Sequence, residues 1–151
     1  MHRLYENEDI TVFWDSNKCR HAKICVNGCP EVFEFTRKPW IILENGENKD
    51  IWQTVEKCPS GALTITYNRK VNITLEKDNH RSVAIHNGVM IGECDFEITP
   101  DGWNIYHTEV NPSFGGKNIA KRLAYKVLEA AEKEKANVIP SCSYVRKLIT
   151  D

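Results

Sequence analysis

The chain has 151 residues, which is enough for one domain or for two small ones. Hydrophobic residues make up 41% of it and charged residues 27%, ordinary values that exclude a disordered chain, a collagen-like chain and a coiled coil. The formal net charge is −1, with both signs mixed along the chain, which argues against a nucleic-acid-binding surface.

The cysteine count and the start of the chain indicate where the protein works. Six cysteines occur behind a polar, acidic beginning that has no features of a secretory signal. This combination favours a reducing compartment, where clustered cysteines hold metal or do chemistry more often than they form disulfides. No apolar run reaches the roughly 18–20 residues that a membrane helix needs. We therefore expect a cytoplasmic protein without a membrane partner.

The first half of the chain predicts a small mixture of strands and one helix. β-Branched and aromatic residues predict a strand over 10–14, and alternation predicts another over 31–35. Ile51, Trp52 and Val55 stand at helical spacing within 49–57, so a helix is expected there. A closing strand is expected over 62–67.

The second half predicts four strands followed by a long helix. The strands fall at 71–76, 82–86, 89–98 and 103–110. Asn87-Gly88 separates the second strand from the third and is a strong signal for a tight hairpin.

A glycine-containing loop over 111–118 leads from the fourth strand into this helix, which is expected over 117–136. Its apolar face comprises Ile119, Leu123, Val127, Leu128 and Ala131. A short strand at 138–140 and a last helical turn or two at 144–149 complete the prediction.

Four of the six cysteines lie before residue 60 and follow an iron–sulfur spacing. Cys19, Cys25 and Cys29 fit the run C-x2-C-x2-C-x3-C-P, with Ala22 where the second cysteine would stand. Cys58-Pro59 supplies a remote Cys-Pro. Spaced thiolates on a tight loop and one distant cysteine can cage a cluster, and thiolates are soft ligands suited to iron. A zinc site and merely buried cysteines are the alternatives, although zinc modules usually have paired C-x2-C spacings, which are absent here.

The stretches CRHAKICVNGCPEVFEF, RKPWI and VEKCPSGALTI together resemble the ferredoxin-like family of divergent single-cluster iron–sulfur domains. The resemblance covers about residues 10–67 and implies a 3Fe-4S or 4Fe-4S cluster held by Cys19, Cys25 and Cys58. Because Ala22 takes the place of a fourth ligand, a four-iron cluster would need a substitute, and the nearby candidates are His21 and Cys29. In two-cluster ferredoxins the cysteine at the position of Cys29 serves the other cluster.

The stretches HTEV, GGKNIA and IPSCSYV resemble the minimal branch of the GNAT acetyltransferase superfamily over about residues 70–150. The resemblance implies that acetyl-CoA lies where the HTEV strand splays from its neighbour, bonded to strand backbone such as that of Val110. The pyrophosphate would sit on a strand–loop–helix junction, where backbone N–H groups point at an anion. The residues of this loop are Gly115, Gly116, Lys117, Asn118, Ile119 and Ala120.

This loop departs from the superfamily pattern at two positions. Gly115 replaces the opening Arg or Gln, and Asn118 replaces the central glycine. Asparagine tolerates a positive φ better than other non-glycine residues, so we expect the loop to fold but to bind CoA weakly.

Three residues are candidates for catalysis of acetyl transfer. Tyr144 stands where many GNAT enzymes keep a tyrosine that protonates the leaving thiolate. Cys142, beside it, is placed either to act as a nucleophile or to line the pocket. His107 is placed to relay protons. The alternative for each is a packing role.

We therefore predict an α+β protein of two small domains with a boundary near Asn68-Arg69-Lys70. Residues 1–68 form a ferredoxin-like iron–sulfur module, and residues 69–151 form a short GNAT-like mixed sheet with a long helix. The expected function is a cluster-binding protein fused to an N-acetyltransferase, with a small-molecule or protein amine as acceptor and a redox partner for the cluster. The rival is a non-enzymatic electron carrier or redox sensor whose GNAT-like domain is degenerate.

Overall fold

A computed structural model describes residues 1–150 of the chain, which form two compact units. The first unit is Met1–Arg69, and the second begins at Lys70. Each unit has its own sheet and its own hydrophobic core. The α+β class predicted from the sequence is confirmed.

The first unit contains an antiparallel three-stranded sheet in the order β1-β2-β3. Its strands are β1 (His2–Glu6), β2 (Ile10–Asp15) and β3 (Leu63–Tyr67). All six residues of β2 are buried, because this strand is central and carries the β-branched and aromatic side chains that fill the core. β1 was not predicted, since its short polar sequence becomes a strand only by pairing with β2.

Two helices complete the first unit: α1 (Ile24–Gly28) and α2 (Asn48–Glu56). α2 confirms the predicted helix and buries Ile51 and Val55. α1 was not predicted, because a five-residue helix is too short to have a periodic apolar face.

The strand predicted over 31–35 is wrong. The chain turns there, and its only ladder contact is a single bridge from Phe33 to Ile41. The N–H groups of Val32 and Phe33 both donate to the carbonyl of Cys29, which curls the backbone after α1. Consecutive Val32 and Phe33 are fully buried, so the alternation in the sequence reflects a buried turn rather than a two-sided strand.

The second unit contains a five-stranded sheet in the order β4-β5-β6-β7-β8. All neighbours are antiparallel except β7 and β8, so the sheet is mixed, as predicted. Asn87 and Gly88 have φ values of 51° and 77°, which is the conformation that the predicted hairpin turn requires. The strands are β4 (Val71–Glu76), β5 (Arg81–His86), β6 (Val89–Thr99), β7 (Gly102–Val110) and β8 (Val138–Pro140).

One face of this sheet is covered by α3 (Ile119–Lys133). The predicted apolar stripe of this helix is buried in the core of the unit, which confirms its orientation. A final helix, α4 (Ser143–Thr150), follows β8 and buries Val145. Within residues 1–150, none of the helices has the length and apolar character that crossing a membrane would require.

β8 pairs with only the first part of β7, because it ends at Pro140. The two strands pair from Trp103 to Ile105, and β7 then continues to Val110 without a strand partner on this side. We call this unpaired edge of β7 the gap. On its other side, β7 has a bulge against β6, where Tyr106 is an extra residue between the pairs Phe96–Ile105 and Asp95–His107. Because of this extra residue, every side chain of β7 after Tyr106 lies on the opposite face of the sheet from the one that plain alternation would give it.

Candidate metal centre and candidate active site

Three cysteines of the first unit face one depression. Cys19 follows the turn after β2, Cys25 lies in the first turn of α1, and Cys58 follows Lys57, the C-cap residue of α2. Apolar side chains of Trp14, Phe35 and Leu63 also line it. Segments that are distant in sequence therefore place three thiols around one opening.

The loop between Cys19 and Cys25 closes over this depression in a tight conformation. His21 and Lys23 both adopt left-handed backbone angles, with φ values of 56° and 63°. The backbone N–H of His21 donates a hydrogen bond to Cys19 Sγ at 3.4 Å. His21 and Ala22 both line the depression, so the side chain at the position of the missing cysteine lies at the same opening.

The protein environment stabilises negative charge most clearly on Cys58. Burial opposes ionisation of this thiol, but the N–H groups of Leu63, Ser60 and Ala62 and the Ser60 hydroxyl outweigh it and lower the pKa of Cys58. Burial raises the pKa of Cys25, and the neighbouring thiols of Cys19 and Cys58 raise it further. N–H donors to sulfur are a recognised means of tuning an iron–sulfur centre.

Cys29 is not brought to this opening. Its side chain is buried in the core of the unit and is hydrogen-bonded to the Thr54 hydroxyl. Burial, together with the carboxylates of Glu31 and Asp50, raises the pKa of Cys29, which disfavours the thiolate that a metal would need. The structure thus separates Cys29 from the other three sequence-predicted cysteines.

The sulfurs of Cys19, Cys25 and Cys58 are not all at the spacing of one tetrahedral zinc site. In tetrahedral zinc sites a Zn–S bond of about 2.3 Å places ligand sulfurs about 3.8 Å apart. Within residues 1–150, no three cysteine sulfurs lie within 4.8 Å of one another.

The gap beside β7 in the second unit is lined by a thiol, a hydroxyl and a phenol. Cys142 is fixed just after β8, because its N–H donates to the carbonyl of Ile105 at 2.8 Å. Its Sγ lies 3.5 Å from the hydroxyl of Thr108, which in turn donates to Cys94 Sγ at 3.4 Å. Tyr144, on the first turn of α4, is close enough to both thiols to interact with them electrostatically.

The pKa values of Cys142 and Tyr144 shift in opposite directions. Burial opposes the Cys142 thiolate, but the Thr108 hydroxyl and the N–H groups of Val145, Tyr144 and Thr108 outweigh it and lower the pKa of Cys142. Burial, assisted by the two thiols, raises the pKa of Tyr144 to about 12. Cys94 is deeply buried, and burial raises its pKa to about 12. A thiol of lowered pKa and a phenol of raised pKa therefore lie near each other beside β7.

Sequence reasoning missed Thr108, and the bulge explains why. Ile105 faces the core, so plain alternation would also turn residues 107 and 109 towards it. Beyond the extra residue Tyr106, Thr108 instead contacts the buried Cys94. No pattern in the sequence marks the bulge.

The same bulge separates His107 from Cys142 and Tyr144. His107 lies on the face of the sheet away from α3, where its Nε2 is 3.4 Å from Oε2 of Glu109. The structure therefore brings together only two of the three predicted catalytic residues.

Backbone groups of Val110 point into the gap. The backbone N–H of Asn111, the next residue, donates a hydrogen bond to the carbonyl oxygen of Ile91 on β6 at 2.7 Å. Because successive peptide groups of a strand alternate in direction, the N–H and carbonyl of Val110 face the opposite side. This is the side where β7 has no strand partner.

The loop between β7 and α3 exposes backbone at a helix N-terminus. Gly116 has a φ of 75°, and Asn118, the N-cap residue, has a φ of 59°, which agrees with the positive φ that the sequence predicted for it. The Asn118 side chain makes no capping hydrogen bond. The first-turn N–H groups of Ile119 and Ala120 have no acceptor inside the helix, so this junction can receive an anion. Lys117 lies over the Phe114 ring, 5.3 Å from its centre.

The folds and sites define a two-domain protein with an iron–sulfur-binding module and an acetyltransferase-like domain. Residues 5–68 match the family model described as divergent 4Fe-4S mono-cluster, and residues 82–151 match the one described as GCN5-related N-acetyl-transferase. The chain belongs to the divergent mono-cluster 4Fe-4S family in its first part and is GNAT-like in its second.

Curated relatives match the first part alone. Two proteins, each named uncharacterized protein YjdI, come from Escherichia coli strain K12 and from Escherichia coli O157:H7. Each is 36% identical to this chain over 62 residues, which is 41% of this chain and 82% of the relative.

Proposed function

We propose that the first unit binds an iron–sulfur cluster through Cys19, Cys25 and Cys58 and that the second unit is an acetyl-CoA-dependent N-acetyltransferase. The convergence of the three thiols on one depression carries the first part of the proposal. The reactive thiol of Cys142 beside the gap in the sheet supports the second part.

Within the first unit, three thiolates hold the cluster, and Cys29 packs in the hydrophobic core instead of binding it. The cluster, when bound, supplies one-electron redox chemistry. The N–H groups around Cys58 stabilise the negative charge of its thiolate. His21 lies at the same opening and is the candidate fourth ligand.

Anaerobic purification with iron and sulfide analysis tests the cluster. We expect visible absorbance that Cys58→Ser abolishes and that Cys29→Ser, the matched control, leaves in place. Full colour in Cys58→Ser, or bleaching by Cys29→Ser alone, would refute the ligand set.

The missing cysteine at Ala22 determines the expected nuclearity. With three thiolates, we expect a three-iron signal in electron paramagnetic resonance or a labile four-iron cluster that decays to it. Ala22→Cys supplies a fourth thiolate at the same opening and should stabilise the four-iron form. If the wild type keeps four irons in air and His21→Ala abolishes this, His21 supplies the fourth ligand beside the three thiolates and the expectation of a three-iron or labile cluster is wrong.

In the second unit, acetyl-CoA binds along the gap. Backbone groups of Val110 bond the pantetheine, and the loop from Gly115 to Ala120 receives the pyrophosphate at the N-terminus of α3. The loop lacks the usual Arg or Gln, and a charge-assisted contact contributes roughly 1.5–3 kcal/mol. We therefore expect binding about ten- to a hundredfold weaker than a complete loop would give.

Transfer proceeds through Cys142 and Tyr144. The Cys142 thiolate attacks the acetyl carbonyl, the C–S bond to CoA breaks, and the Tyr144 hydroxyl gives its proton to the departing CoA thiolate. The amine then attacks the acetyl-Cys142 thioester and releases the Cys142 thiolate, while the excess amine proton restores the Tyr144 hydroxyl. The lowered pKa of Cys142 favours the attacking thiolate. The raised pKa of Tyr144 keeps its hydroxyl protonated before the transfer, and the proton passes only to the strongly basic thiolate that develops as the C–S bond breaks.

Mass spectrometry of the protein incubated with acetyl-CoA tests this route without an acceptor. We expect one acetyl group on Cys142, which an added amine removes. Tyr144→Phe should slow acetylation at least tenfold while changing acetyl-CoA affinity little, because a leaving-group acid acts in the transition state. If calorimetry finds no acetyl-CoA binding at millimolar concentration, the acetyltransferase proposal is wrong and the non-enzymatic iron–sulfur carrier remains.

A further inference from the structure

Four side chains that carry possible metal-ligand atoms form a square on the face of the sheet away from α3. They belong to Glu93, Asp95, His107 and Glu109. Glu93 and Asp95 are two residues apart on β6, and His107 and Glu109 are two residues apart on β7. The register places Glu93 opposite Glu109 and Asp95 opposite His107. Cys94, between the two acids, faces the core, so this square belongs to the other face.

The side chains of this square converge. One ligand atom each from Glu93, Asp95 and His107 lies within 4.8 Å of the other two, the only such trio in residues 1–150. His107 Nε2 is 3.4 Å from Oε2 of Glu109. Two adjacent paired strands hold the backbone of these residues. Two ligand atoms that each bond one ion at the typical 2.0–2.2 Å lie at most about 4.4 Å apart, which is close to the spacing found here.

The carboxylates of the square outnumber the cations beside them. Arg81, opposite Asp95 on β5, has its shorter contact with Glu76, at 2.8 Å, and reaches Glu93 only at 3.5 Å. Glu93 and Glu109 face each other across the strands, a like-charge arrangement that is unfavourable without a counterion. A divalent cation would neutralise this concentration of negative charge.

The square also has access from solvent. His107 and Glu109 are exposed, and a cavity of about 310 Å³ adjoins Glu93 and Glu109. A bound ion could therefore keep open positions for water or a small ligand.

We propose that Glu93, Asp95 and His107 bind a divalent transition-metal ion, with Glu109 orienting the imidazole. One imidazole and two carboxylates suit ions such as Mn²⁺, Fe²⁺ or Zn²⁺, and differ in kind from the soft thiolates of the first unit. This assignment does not depend on acetyl transfer or on the iron–sulfur cluster. It gives His107 a role other than the proton relay expected from the sequence.

Titration of the full anaerobic chain with Mn²⁺, followed by electron paramagnetic resonance of the free ion, tests this site. Mn²⁺ is the probe because it prefers oxygen and nitrogen ligands to the thiolates elsewhere in the chain. We expect one bound ion, with at least tenfold weaker affinity in Asp95→Asn and in His107→Ala. Glu97→Gln, on the same strand and with the same loss of charge, is the matched control and should bind as the wild type does.

Circular dichroism and thermal unfolding of each variant separate loss of the site from loss of the fold. Should a variant unfold, Glu93→Gln in a folded chain provides the same test and should also weaken binding at least tenfold. Absence of Mn²⁺ binding by the wild type at millimolar concentration overturns the proposal. So does unchanged affinity in His107→Ala, because the carboxylates would then attract the ion without the imidazole.

Discussion

The hydroxyl of Thr108 lies between two thiols of opposite character. Cys94 is buried with a pKa raised to about 12, whereas the pKa of Cys142 is lowered by its hydrogen bonds in spite of burial. When Cys142 is neutral, its S–H donates to Thr108; when it is ionised, the hydroxyl can rotate and donate to the thiolate. One side chain therefore adjusts the reactivity of the proposed nucleophile.

We predict that Thr108→Val slows alkylation of Cys142. Loss of the hydroxyl raises the pKa of Cys142, so the thiolate fraction at a given pH falls and the rate profile shifts to higher pH. Site-resolved iodoacetamide labelling by mass spectrometry measures this profile. Thr108→Ser keeps the hydroxyl and should follow the wild type, and an unchanged midpoint in Thr108→Val would contradict the role given to Thr108.

The N-terminus of α3 depends on one residue in the left-handed region. Asn118 caps the helix with a φ of 59°, which alanine tolerates less well. We expect Asn118→Ala to lower the free energy of unfolding by about 1 kcal/mol and Asn118→Gly to change it by no more than about 0.5 kcal/mol. Urea unfolding followed by circular dichroism measures both, and equal losses in the two variants would show that backbone conformation is not the cause.

The start of β7 admits no side chain. A Cβ at Gly102 would lie 2.5 Å from the carbonyl oxygen of Asn137, and the φ there is 138°. We predict that Gly102→Ala destabilises the second unit by about 2–3 kcal/mol, since backbone would have to move. Gly115→Ala, at a φ of −62°, is the matched control and should cost far less. Hydrogen exchange of the β7 amides measures the loss, and full protection in Gly102→Ala would contradict this account.

The elements that the sequence predicts well are those whose signals are local. The Asn87-Gly88 turn and the face of α3 depend on neighbouring residues in the chain, and both are confirmed. β1 and the turn at 31–35 depend on what the segment packs against, which a single sequence does not contain. The same distinction applies to the candidate metal centre. The spacing of the cysteines in the sequence predicts the site, but only the folded structure shows that Cys29 lies in the core.

At the scale of the whole molecule, each unit has a separate core, and the first is small. A unit of about 70 residues buries little apolar surface and often needs a staple such as a metal. We predict that Cys19→Ser, Cys25→Ser and Cys58→Ser, combined in one chain, remove hydrogen-exchange protection from residues 1–69 and leave the second unit protected. Equal protection of the first unit with and without the three cysteines would mean that its core suffices without the cluster.

The extra residue Tyr106 has a consequence for comparing or redesigning this strand. A gap-free alignment with an unbulged strand would pair His107 with an inward position and Thr108 with an outward one, the reverse of their placement. Deleting Tyr106 would instead remove the bulge and leave Thr108 and Val110 facing the core and His107 and Glu109 facing away, because Ile105 and His107 would then be consecutive residues. An alignment that omits a one-residue gap at Tyr106 therefore assigns the wrong face to every later position of β7, although the residues themselves are correctly matched in type.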